Sequence, residues 1–101
     1  MQNYKIIISP EATDMLKEHI AFIANVDKKA AINIKNQIVK AIKDLNNMPN
    51  RFPFFNELYI PQNKYHKMFI EKWYLVLYQI KDNTVYIDYI LDCRQDYQWL
   101  I

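Results

Sequence analysis

The chemistry-bearing side chains gather in the C-terminal half of the chain. His66, Lys67, Glu71 and Lys72 stand close together in sequence, and Arg94, Asp96 and Tyr97 form a second group further on. Imidazole, ammonium, guanidinium, carboxylate and phenol groups would share a small area if the two segments are neighbours in a sheet. That set suits the cleavage of RNA by attack of a 2′-hydroxyl on its own phosphate. The reaction needs no metal and no covalent nucleophile, only a base, an acid and cations for the phosphorane charge. Lys67 and Arg94 would supply the charge, His66, Glu71 or Tyr97 would move protons, and Lys72 and Arg51 would hold substrate. The competing reading is a solvated sheet edge carrying ordinary charges, and spacing alone leaves it open.

Other chemistries are easier to set aside. Ser9 is the sole serine, and it stands where a helix cap is needed, which argues against a Ser-His-Asp hydrolase. Cys93 is the sole cysteine, and a lone cysteine at a strand end is read as packing rather than as a thiol partner of His66. His19 and His66 have no cysteine cluster beside them and make no recognisable metal site, so no metal or other cofactor is expected. His19, with acids around it, reads as a solvated helix residue. The chain has no glycine. Phosphate-cradling loops of the Walker and dinucleotide types need glycine for close backbone approach, and those classes fall away.

The elements that would position these groups are legible from caps and periodicity. Tyr4–Ile8 is a short β-rich run, and Ser9-Pro10-Glu11 is a helix start: a hydroxyl cap, proline in the first turn, an acid at the positive dipole end. Ala12, Leu16, Ile20 and Ile23 recur at helical spacing as far as about Ala24. Asn25-Val26-Asp27 breaks the pattern, and Ala31, Ile34, Ile38, Ala41, Ile42 and Leu45 define a second helix. So short a break predicts an antiparallel hairpin. A loop over 50–63 follows, in which three phenylalanines serve to pin it to the core. Strands are expected at about 65–70, 73–81 and 84–92, with the last two joined by a turn at Lys81-Asp82-Asn83. Strict alternation in the last strand would turn Val85, Ile87, Tyr89 and Leu91 to the helices and Tyr86, Asp88, Ile90 and Asp92 to the open face. The expected fold class is α+β: an N-terminal strand and a two-helix hairpin packed on a twisted antiparallel β-sheet.

Length and composition agree with that scale. The chain has 101 residues, 51% of them hydrophobic and 15% aromatic, enough for one domain over 1–101 with an ordinary core. The formal charge of +2 says little about partners. Its excess sits in the first fifty residues, where seven lysines face five acids, while the remainder balances at six and six. No secretory leader or membrane helix is expected, and the lone cysteine fits a reducing compartment, so the cytoplasm is the expected location.

Several strings, in this order, resemble the RelE/ParE toxin superfamily. They are Ser9-Pro10-Glu11-Ala12 after a first strand, the run from Tyr65 through Lys72 to Tyr78, and Val85–Ile90 followed by Leu91-Asp92-Cys93-Arg94-Gln95-Asp96-Tyr97. The resemblance covers nearly the whole chain. It implies a toxin neutralised by a cognate antitoxin, with no membrane partner. RelE-like members cleave mRNA on the ribosome, and ParE-like members inhibit DNA gyrase without being nucleases. By resemblance Arg94 stands at a phosphate-binding arginine, Tyr97 at a C-terminal aromatic, Lys67 at a basic position, and His66 where many relatives carry arginine. Leu75, Asp92 and Gln95 replace an arginine, a histidine and a second arginine of the nucleases, removing charge that would hold a phosphate backbone. The expectation is still ribosome-dependent mRNA cleavage, impaired by those losses, with gyrase inhibition, or a decayed toxin that only holds its antitoxin, as the alternatives. Phe22 and Trp99 are candidate antitoxin contacts.

Overall fold

The computed structural model describes residues 3–57, 60–71 and 73–93. Strand β1 (Lys5–Ile8) leads into helix α1 (Pro10–Ala24) and helix α2 (Lys28–Lys43), and two 3-10 turns at Asp44–Asn46 and Pro49–Arg51 end the helical half. Strands β2 (His66–Ile70), β3 (Tyr74–Lys81) and β4 (Thr84–Asp92) follow. The caps act as expected: Ser9 Oγ accepts from the Ala12 amide and Asp27 Oδ1 from the Ala30 amide. Ser9 also joins the layers, because its hydroxyl donates to the Asp88 carbonyl and its amide to the Ile87 carbonyl.

The sheet order is β1-β4-β3-β2. The pairs β2–β3 and β3–β4 are antiparallel, as the hairpin turns require, but β1 lies parallel to β4 at the edge, so the sheet is mixed. The helical hairpin is the reason. It serves as the crossover that brings the chain back to the sheet far from β1, leaving β1 to be met by a strand running its own way.

Alternation in β4 does not persist to its end. Leu77 pairs with Tyr89 while Tyr78 pairs with Ile87, so Asp88 is an extra residue in a β-bulge. Before the bulge Val85 and Ile87 face the helices, as expected. Beyond it Ile90 takes that side, and Leu91 and Tyr89 join the opposite one, which corrects the strict alternation. The sheet consequently has two cores. Ala12, Ile38, Ile42 and Leu45 pack on Met68, Val76, Tyr78, Val85 and Ile87 beneath the helices. On the other face, Phe55, Ile60 and Tyr65 fold over Leu75, Leu77 and Leu91, so the 52–65 loop covers much of what the sequence presents as open. This explains why β3 reads Tyr-Leu-Val-Leu-Tyr without polar alternation: all five residues are buried.

Turns are made without glycine. Asp82 and Asn83 both have positive φ, 52° and 60°, which matches a two-residue hairpin turn whose twist suits the strands. Met48 (49°) and Glu71 (57°) hold the same left-handed region without an Asx side chain to ease it.

Candidate functional site

His66 opens β2 opposite Tyr78, on the helix-facing side, and is only 8% exposed. Its Nδ1 lies 2.7 Å from the Phe52 carbonyl, an obligate acceptor, so Nδ1 carries the proton and donates. The ring stacks on Tyr78 at 5.3 Å and 16°, and Phe54 lies 4.3 Å away on centroids. Tyr78 donates its hydroxyl to the Pro49 carbonyl at 2.6 Å. Burial pushes its phenol well above the ordinary tyrosine range, with the Arg51 charge opposing. Arg51 Nη1 donates to the Asn47 and Met48 carbonyls, and its guanidinium sits 4.8 Å from the Phe52 ring. These groups hold the chain reversal at 47–55 against β2 and β3.

Lys67 points to the other face, as the next residue along a strand must. Its amide donates to the Pro53 carbonyl, and its ammonium lies 5.9 Å from the Phe55 ring and 6.0 Å from the Phe69 ring. Glu71 follows β2 at its far end, some 17 Å of strand from His66. The structure thus brings His66 and Arg51 together around Phe52 and separates both from Lys67 and Glu71. Lys72, Arg94, Tyr97 and Trp99 lie outside the described residues.

The fold also assembles groups that the sequence does not announce. Asp88, thrown out by the bulge, accepts from Gln79 Nε2 at 2.6 Å. Tyr65 stands beside it, edge-on to Tyr89 at 6.0 Å, and its phenol is pushed up to about 12 by burial, by the Asp88 charge and by hydrogen bonding with Asp88 and Tyr89. The bulge is what aims the carboxylate there, and no residue type in β4 signals a bulge. His19 is not the solvated residue expected of its acidic neighbours. Its Nε2 lies 2.8 Å from the Ile90 carbonyl, and its ring is 5.3 Å from that of Tyr74.

Two grooves meet at the tip of the hairpin. One, of about 480 Å³, runs between Met15, His19 and Phe22 of α1 and the sheet end at Tyr74 and Ile90–Asp92. The second, of about 410 Å³, is lined by Phe22, Val26, Ile34 and Trp73. Phe22 is 68% exposed and Val26 87%, large apolar surfaces for so small a chain.

The model of the ParE toxin family of type II toxin–antitoxin systems (parDE) matches residues 6–97. No curated protein sequence matches the chain. Among solved structures, the chromosomal ParDE toxin–antitoxin system of P. aeruginosa superposes with a TM-score of 0.72 at 15% identity, over 88% of this chain and 95% of that one. That likeness is one of fold: the same helical hairpin and sheet, carried by a different set of side chains. With the family model matching nearly the whole chain, the chain belongs to the ParE toxin family of type II toxin–antitoxin systems.

Proposed function

We propose that this chain is a toxin that acts by binding DNA gyrase, not by cutting mRNA, and is held in check by a cognate antitoxin. The observation that carries the reading is the ParE family match over residues 6–97, the branch associated with gyrase. Three features of the chain agree with it. The His66 imidazole is packed between Tyr78 and Phe54 with Nδ1 committed to the Phe52 carbonyl, and Lys67 is on the opposite face. Leu75, where nucleases of the superfamily carry arginine, is 1% exposed beneath the 52–65 loop, a position that would strip a guanidinium of water. Asp92, where those nucleases by resemblance carry histidine, is buried at the end of β4.

Arg94 and Tyr97, by resemblance a phosphate ligand and a C-terminal aromatic, favour the second reading, ribosome-dependent cleavage. The two are separated in expressing cells. Gyrase inhibition yields covalent DNA–gyrase complexes and intact transcripts. Cleavage yields new mRNA 5′ ends within codons and no such complexes, and that outcome would overturn the gyrase assignment.

A further inference from the structure

The two edges of the sheet differ. Along β2, Phe54 bridges to His66, the Phe55 amide donates to the Tyr65 carbonyl and the Lys67 amide to the Pro53 carbonyl. The chain thus covers the first part of that edge itself. β1 forms the other edge. Its Lys5 amide donates to the Asn83 carbonyl at 3.0 Å, and the Ser9 amide beyond it donates to the Ile87 carbonyl at 2.9 Å. Alternate residues of a ladder turn their backbone groups to the same neighbour, so Lys5, Ile7 and Ser9 face β4 while Ile6 and Ile8 turn theirs outward. Among the described residues, no group hydrogen-bonds to the Ile6 or Ile8 backbone. Tyr4, next in that outward series, has its amide on the Asn46 carbonyl at 2.8 Å. Edge strands are ordinarily guarded by proline, charge or a bulge. Ile6-Ile7-Ile8 carries none of these, and Ile7 and Ile8 are 38% and 42% exposed.

We propose that this edge seats β1 of a second copy of the chain, antiparallel about a two-fold axis at Ile7, joining two sheets into one. The register follows from the bare groups. Ile6 of one copy opposite Ile8 of the other makes a hydrogen-bonded pair, in which the two residues exchange both N–H···O=C bonds, and the axis repeats it. Ile7 then meets Ile7 in the non-hydrogen-bonded site between, on the face that carries Tyr86. Lys5 falls opposite Ser9, which keeps the two lysines apart. The same register covers the exposed Ile7 and Ile8 with isoleucine. A second copy is the fitting occupant because the seam is self-complementary and its length is set from within the chain. The Tyr4 amide is committed at one end and Pro10 opens α1 at the other, so a longer strand from another protein gains no further backbone bonds. The pairing depends on neither the toxin reading nor its target.

The test is sedimentation of the full chain at rising concentration, paired with disulfide trapping in a Cys93→Ser background. The wild-type chain should approach the mass of a dimer. Ile7→Lys sets two ammonium groups against each other on the axis and should weaken association about tenfold or more. Ile7→Cys places two Cα atoms about 4.5 Å apart, within the span of a disulfide, and should give a covalent dimer when diamide is added as oxidant. Ile32→Cys, on α2 and 60% exposed, should give none on the same timescale. Circular dichroism checks that each variant is folded, and if Ile7→Lys is not, the trapping decides. A wild-type chain that stays monomeric, association unchanged in a folded Ile7→Lys, or equal trapping at both positions overturns the proposal. An Ile7→Cys chain that stays monomeric under diamide, its thiol shielded only when the protein from the adjoining open reading frame is added, overturns it in favour of that protein.

Discussion

His66 shows how the same residue type reads differently once its surroundings are known. A catalytic role would need its basic Nε2 to reach substrate, whereas the ring is 8% exposed, packed between Tyr78 and Phe54, with Nδ1–H donating to the Phe52 carbonyl. His66→Ala should therefore cost stability, roughly 2–4 kcal/mol, from lost packing together with an orphaned carbonyl, read as a lower urea midpoint. A variant as stable as the parent would contradict that placement. Tyr65 makes a pH-dependent prediction. Its phenol holds its proton up to about 12 in the fold against 10.0 in the unfolded chain. Its contribution is complete below pH 10 and is lost as pH rises through 10 toward 12, because there the unfolded chain binds fewer protons. Tyr78 shifts in the same direction. Tyr65→Phe should shrink the fall in urea midpoint over that window; an unchanged fall would assign it elsewhere.

At the scale of elements, the absence of glycine has a measurable consequence. Glu71 holds a φ of 57° in the β2–β3 turn, and its side chain is exposed. Glu71→Gly should stabilise the chain by about 0.5–1 kcal/mol, the relief of left-handed strain less the added unfolded-state entropy, seen as a higher melting temperature. A lower melting temperature would mean that the carboxylate has partners worth more than the strain. The helices, their caps at Ser9 and Asp27 and the Asp82-Asn83 turn were legible because each is set by local side-chain chemistry. The parallel lie of β1, the bulge at Asp88 and the second core under the 52–65 loop were not, since each depends on residues distant in sequence. The candidate site was legible in its residue types but not in its geometry. Lys67 and His66 look alike in sequence, and only strand position, with Phe52 and Tyr78 as neighbours, assigns one to each face.

Over the whole molecule, apolar surface and charge are unevenly distributed. Phe22 and Val26 are exposed at the hairpin tip, Trp73 of the β2–β3 turn beside them and Ile32 on α2, and lysines dominate α2. That distribution suits a chain with partners, and its membership of a toxin–antitoxin family points to a cognate antitoxin as one of them. No described helix is long and apolar enough to cross a membrane. The most direct test of the target is a supercoiling assay with purified gyrase, relaxed plasmid and this chain, with and without its antitoxin. Gyrase binding predicts that the chain alone blocks supercoiling in proportion to its concentration and that the antitoxin restores it. Full supercoiling at saturating toxin, accompanied by cleavage of mRNA on purified ribosomes, would contradict it.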